Sequence, residues 1–175
     1  MIYICSDLHF NHNKDFIWEA RGFNSVEEMN QALINNWNSV VKDEDTVYVC
    51  GDCMMGDLNS GIELLKQLKG HKKLAIGNHD TDARIKAYKE HNIFEDIQFA
   101  YRLKYKKKHY FLSHYPTIVD NVNGAVINLY GHIHSTDKIN EVNPHGYHIG
   151  VDSFNCYPVS IEEIFEDMKR RKENT

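Results

Sequence analysis

No run of some 18 uncharged apolar residues occurs in the 175-residue chain, so no membrane span is read from it. Its start, MIYICSDLHF, lacks the basic region and long apolar segment of a secretory leader, which sets the expectation of a cytoplasmic protein. Nor is there a broad basic field: 20 Lys and Arg face 25 Asp and Glu, for a formal charge of -5 and a pI near 6.1. A surface built for non-specific attraction to nucleic acid or anionic membrane is thereby excluded, and any anion site must be local. Cysteine is sparse. Without an export signal, Cys5, Cys50, Cys53 and Cys156 read as reduced thiols and not as a disulfide framework. With only 3 prolines there is no Pro/Gly/Ser-rich linker, and neither a low-complexity tract nor an internal repeat appears. No domain boundary is visible, and 42% hydrophobic residues suffice for one core, so residues 1–175 read as a single domain.

What is present is a series of short segments rich in β-branched and aromatic residues: IYIC (2–5), TVYVC (46–50), KLAI (73–76), YFLS (110–113) and INLY (127–130). Each predicts a strand. Between the first two, SVEEMNQALINNWNSVV (25–41) places Met29, Leu33, Ile34, Trp37 and Val41 at helical spacing behind a capping-box pair, Ser25 and Glu28. Further helices are predicted over 60–70, 82–91 and 160–172, the last with Ser160 and Glu163 as its capping pair and basic residues at the end that suits the helix dipole. Strands alternate with helices early and group later, which suggests an α/β sandwich whose mostly parallel sheet gives way to antiparallel hairpins. AYRLKYKKKHYFLSH (100–114) reads as one hairpin with lysines at its turn.

Polar residues gather where these strands end: Asp7-Leu8-His9, Gly51-Asp52, Gly77-Asn78-His79-Asp80, His114, and Gly131-His132-Ile133-His134. In a mostly parallel sheet the strand ends preceding helices share one edge, where such folds place ligand sites, so the five clusters should converge. Asp7, His9, Asp52, Asn78, His114, His132 and His134 offer oxygen and nitrogen without an obvious thiolate. That set suits divalent manganese, iron, zinc or nickel better than a structural zinc site, and it is too large for one tetrahedral ion. Two ions sharing a carboxylate fit it. Such a pair, roughly 3.5 to 4 Å apart, would acidify a bridging water, provide a metal-bound hydroxide as nucleophile and clamp the phosphoryl oxygens during in-line attack. A leaving alkoxide still needs a proton. His79 can supply it as general acid, with Asp80 orienting the imidazole and favouring its charged form.

The ordered set DLH, GD, GNHD, a lone His after a strand, and GHIH resembles the calcineurin-like metallophosphoesterase superfamily across residues 7–134. The resemblance implies a four-layer α/β/β/α sandwich with mixed sheets and a dinuclear phosphoester hydrolase. It would assign Asp7, His9 and His134 to the first ion, Asp52 to the bridge, and Asn78, His114 and His132 to the second. His79 matches the family's catalytic histidine and Asp80 its partner, while HIGVD (148–152) is similar to the closing strand and carries no assigned chemistry. The region 21–41 resembles the small stand-alone bacterial and phage type, whose members share a site more than a known substrate.

With no room for a large capping domain, the site is expected to be open and to take a phosphodiester, of a nucleotide or another small molecule. A nuclease on DNA or RNA is the alternative, using KYKKKH (104–109) or KRRK (169–172) to track a strand, although a hairpin turn and a helix C-terminus account for both. A non-catalytic binding scaffold ranks lowest, because every assigned ligand and His79 are retained. His12 and Arg21 are candidate substrate contacts, each weighed against an ordinary loop residue. The remaining histidines, 71, 91, 109, 145 and 148, read as structural or solvated. Cys50-x-x-Cys53 reads as ordinary core, since Asp52 within it is needed for metal, and Tyr115-Pro116 as a turn. The oligomeric state is left open by the sequence.

Overall fold

The computed structural model describes residues 1–119 and 125–173. In chain order its elements are β1 (Ile2–Cys5), α1 (Asp15–Trp18), α2 (Val26–Val40), β2 (Thr46–Val49), α3 (Leu58–Leu65), β3 (His71–Ala75), α4 (Asp82–Glu90), β4 (Asp96–Gln98), β5 (Ala100–Tyr105), β6 (Lys108–Ser113), β7 (Val126–Tyr130), β8 (Tyr147–His148), a 3-10 turn (Val151–Phe154), β9 (Val159–Ser160) and α5 (Ile161–Glu173). One sheet has the order β4-β3-β2-β1-β9, the other β5-β6-β7-β8. In the first, β1 to β4 are parallel and β9 joins antiparallel to β1.

Strand periodicity sorts the side chains into two cores. Cys5, Val47, Val49 and Leu74 point to one face of the first sheet and pack with Met29, Leu33, Ile34, Trp37, Ile62 and Tyr88 of the helices. Their neighbours Ile4, Tyr48, Cys50 and Ala75 point to the other face and meet Tyr101, Tyr110, Leu112, Ile127 and Leu129 of the second sheet. α5 adds Ile161, Ile164 and Met168 to that inter-sheet core, and Tyr147 donates from its hydroxyl to Asp167 of the helix at 2.7 Å. Helices thus cover one face of the first sheet, a second sheet stacks on the other, and α5 closes the core between them, giving an α/β sandwich of two mixed sheets as expected. Both capping pairs form at the backbone: Ser25 Oγ accepts from Glu28 N and Ser160 Oγ from Glu163 N, each at 3.1 Å. The Glu28 carboxylate, however, reaches back to Asn24 N, one residue beyond the cap. Among the described residues no helix is long and apolar enough to cross a membrane.

Three readings need correction. The later strands are not a set of antiparallel hairpins: β5 and β6 form one, but β6, β7 and β8 run parallel, because the links between them are long crossovers. HIGVD is strand only at its first residue and continues into the 3-10 turn, with Gly150 bridging to Ser6. Of the short strands, β4 and β9 have no sequence counterpart in the prediction and β8 shares only His148 with it. Two or three residues carry too little pattern to be seen.

Candidate metal centre

Parallel β1, β2 and β3 deliver their following loops to one edge, and those loops are stitched together by backbone. Asp7 N donates to Gly51 O, His9 N to Asp52 O and Phe10 N to Cys53 O, at 3.0 to 3.1 Å. Five of the seven candidate ligands lie in left-handed backbone: Asp7, His9, Asp52, His132 and His134 have φ between 48° and 73°. Such conformations are uncommon for residues with a side chain and cluster at functional sites. Gly77 is required by contact, since a Cβ there would lie 2.3 Å from Asp52 Oδ1. Its absence lets the GNHD loop close on Asp52, whose Oδ1 accepts from His79 N at 2.8 Å. From the second sheet, His132 N donates to Asp7 Oδ2 at 2.9 Å, pinning the GHIH loop to the first strand's loop.

The ligand atoms converge. Asp7, His9 and His134 form one group and Asp7, Asp52 and His114 another, with donor atoms inside each within 4.8 Å of one another. His9 Nε2 faces His134 Nε2 at 3.1 Å, and His132 Nδ1 faces His114 Nε2 at 3.2 Å. Asn78 Oδ1 lies 2.7 Å from His114 Nε2, while Asp52 Oδ2 lies 3.6 Å from His9 and 3.5 Å from His114. His114 Nδ1 donates to Cys50 O at 2.9 Å, which fixes the tautomer and turns the Nε2 lone pair inward. Asp7 Oδ1 is buried with no hydrogen-bond partner among the described residues. An orphaned carboxylate oxygen amid inward-facing imidazole nitrogens is a donor set that fits divalent cations. Burial raises the Asp7 carboxyl to about 6 against the pull of His114 and His134. Burial, helped by His134 and Arg21, lowers His9 to about 2, keeping it in the neutral form that ligates.

The structure thus brings all seven predicted ligands together. Asp7 is common to both groups, and Asp52 Oδ2 lies between His9 and His114, where a carboxylate shared by two ions was expected. His79 stands at the mouth with its side chain 39% exposed and Nε2 3.9 Å from Asp52 Oδ2. Asp80 does not orient that ring. Its carboxylate accepts from Asp52 N and Gly77 N at 2.9 Å, from Cys53 N at 3.3 Å and from the Tyr88 hydroxyl at 3.2 Å, binding the second and third loops together. His12 turns inward, Nδ1 3.3 Å from His9 Nδ1. Arg21 is neither an exposed loop residue nor presented to a ligand: its side chain is 2% exposed and donates to Asp7 O, Leu8 O and Asp152. Cys50 and Cys53 are buried free thiols, and burial pushes both upward, in keeping with ordinary core.

Sequence reasoning missed Asp152 and the surroundings of His148. Asp152 Oδ2 lies 3.1 Å from His134 Nδ1 and Oδ1 accepts from Arg21 Nε at 2.8 Å. Burial opposes its charge, yet these two partners hold the carboxyl well below the usual range. His148 is fully buried, with Nδ1 on Ser153 Oγ at 2.8 Å and burial lowering its pKa to about 4. The signal for both was the HIGVD segment, whose polar residues had been given no chemistry.

The family model for calcineurin-like phosphoesterases matches residues 1–175. An uncharacterized protein of Methanocaldococcus jannaschii is 32% identical over 98% of this chain and 93% of its own length. The gene 66 protein of Mycobacterium phage L5 is 28% identical, over 92% of this chain and 90% of its own. Among solved structures, a protein of unknown function from Aquifex aeolicus superposes with a TM-score of 0.71 at 26% identity, covering 95% of this chain and 98% of that one. With its whole length matched and its ligand loops assembled at one edge, the chain belongs to the calcineurin-like phosphoesterase family and is a phosphoester hydrolase.

Proposed function

We propose that this chain is a single-domain, dinuclear-metal phosphodiesterase acting on a nucleotide or another small phosphodiester. The observation that carries the reading is the meeting of two ligand groups at Asp7, whose inner oxygen is buried and unpartnered. Asp7, His9 and His134 would hold one ion, and Asn78, His114 and His132 the other, with Asp52 between them. When bound, the ions supply Lewis acidity toward the phosphoryl oxygens and acidify a water. His79, exposed at the mouth, donates a proton to the departing oxygen from Nε2 or Nδ1, while its backbone amide is fixed on Asp52. Asp80 acts at one remove, through the loop amides it holds. Arg21 and Asp152 orient the first group, Asp152 by accepting from His134 Nδ1. Asn78, His132 and His134 are exposed whereas Asp7, His9, Asp52 and His114 are buried, so the centre opens to solvent on one side and leaves space for a second ester arm.

Strand-tracking nuclease action by the lysine hairpin is disfavoured by position. Its turn, Lys106-Lys107, stands at the start of β6, and His114 follows the end of that six-residue strand, roughly 20 Å away. Lys106 is moreover paired with Glu162 and Glu166.

The test is hydrolysis of bis(p-nitrophenyl) phosphate and p-nitrophenyl phosphate by metal-stripped protein, with manganese, iron, zinc, nickel or magnesium restored singly. Restored turnover with the bis-ester preferred at least tenfold is expected. Preference for the monoester would reject the diesterase assignment, and no turnover with two ions bound per chain would reject action on simple diesters in favour of a narrow natural substrate or a binding scaffold.

A further inference from the structure

Two aromatic side chains stand in solvent at the rim of the centre. Phe16, on α1, is 65% exposed and Tyr115, just after His114, is 49% exposed. An aromatic ring exposed at the rim of a site is able to stack a planar group of a ligand. Phe16 packs edge-on to His12 with centroids 5.8 Å apart, and His12 lies 5.1 Å from His9. Tyr115 packs edge-on to His132 at 4.8 Å and to His114 at 5.0 Å. The contacts form one run, because His9 and His114 approach the same Asp52 oxygen at 3.6 and 3.5 Å. Phe16 and Tyr115 are its two ends, one beside each ligand group. The rings stand at 65° to 79° to the histidines, so neither is stacked flat on its neighbour.

A phosphodiester held between the two groups sends its two ester arms away from phosphorus in different directions. We propose that Phe16 and Tyr115 are stacking platforms for a planar base on each arm, so that the substrate class is a dinucleoside phosphodiester, the linkage of a dinucleotide or short single strand. Every base has a face that stacks, so such recognition is tolerant of sequence and needs no basic groove. It is consistent with a chain of net charge -5 whose hairpin lysines are remote from the site. The assignment rests on the phosphodiesterase reading for its chemistry, and on ring geometry for its specificity.

Two measurements separate them. The first is binding of a 2-aminopurine dinucleotide joined by an uncharged, hydrolysis-resistant methylphosphonate, followed by quenching of its fluorescence on metal-free and metal-restored protein. Saturable quenching is expected, weakened roughly tenfold or more in Phe16→Ala and Tyr115→Ala and retained in Tyr115→Phe. The second compares thymidine 5′-(p-nitrophenyl phosphate) with methyl p-nitrophenyl phosphate, which share a leaving group. The wild type should favour the thymidine ester about tenfold or more in kcat/KM, through KM; the alanine variant of the ring that takes thymine should lose that preference, and the variant of the other ring, which takes the shared nitrophenyl arm, should weaken both esters alike. Turnover of both esters without preference or quenching would overturn the stacking assignment and leave the hydrolase standing. Quenching without turnover of either ester would do the reverse. Equal loss on both esters in both alanine variants would also overturn it, by showing that the rings support only the metal loops.

Discussion

At the scale of single residues the centre is preset by backbone. Asp7, His9, Asp52 and His132 are held in left-handed conformations by loop-to-loop hydrogen bonds, and His134, also left-handed, is held through its ring by Asp152, so their side chains converge as a property of the fold. Different residues should therefore fail in different ways. His79→Ala is expected to keep its metal content and lose roughly 10²- to 10⁴-fold in turnover on an alkyl diester, whereas a nitrophenyl ester, which needs no proton on leaving, will conceal most of the loss. Full activity of that variant on the alkyl diester would remove His79 as general acid. Asp152→Asn acts on the ligand behind which it stands: metal affinity should fall about 10- to 100-fold, read by competition with a chromogenic chelator, and unfolding temperature in chelator should fall as well, because the buried Arg21 loses its carboxylate. Gly77→Ala inserts a methyl 2.3 Å from Asp52 Oδ1 and should lower metal content and turnover together. The convergence of the seven candidate ligands was legible in the sequence because their short polar clusters follow strands whose ends share one edge. The roles of Asp80 and Arg21 were not, since each is decided by amides and carbonyls on loops distant in sequence, to which a residue's identity gives no clue.

At the scale of elements the long, strongly periodic segments were readable and the short ones were not. α2 and α5 carry complete apolar faces and capping pairs, and both were placed to within a residue or so. β8 and β9 span two residues each and exist through neighbours supplied by tertiary structure alone. The caps make a direct prediction: Ser25→Ala should cost about 1 kcal/mol, seen as a fall of about 2 to 4 °C in Tm. The β5–β6 turn predicts the opposite sign. Lys106 and Lys107 both have positive φ, as a two-residue hairpin turn demands, and neither is a residue that adopts it readily. Lys107→Gly should raise Tm by about 1 to 4 °C with activity unchanged, because the turn is at the far end of β6 from His114. A lower Tm would show that Lys107 holds something other than the turn.

At the scale of the whole molecule, metal binding and folding are one equilibrium. The ligands are gathered only in the native state, so ions that bind them stabilise it, by about 2.7 kcal/mol at a free concentration a hundredfold above Kd. For a chain of this size that corresponds to a rise of roughly 5 to 10 °C in Tm on restoring metal to stripped protein, scaling with the logarithm of concentration. A Tm indifferent to metal would contradict the site.

The origin of the ligands adds a mechanical consequence. Asp7, His9, Asp52 and Asn78 come from loops of the first sheet, and His114, His132 and His134 from loops of the second. The two leaves of the sandwich are therefore clasped at one edge, like a book held shut at its open side, while away from it they are held by apolar packing and by the contacts of the β5–β6 turn with α5. Filling the centre should slow the parting of the leaves where the clasp lies, protecting amides near Cys5 and Tyr130 from hydrogen exchange in step with each other, and leaving those of the Lys106-Lys107 turn exchanging as before.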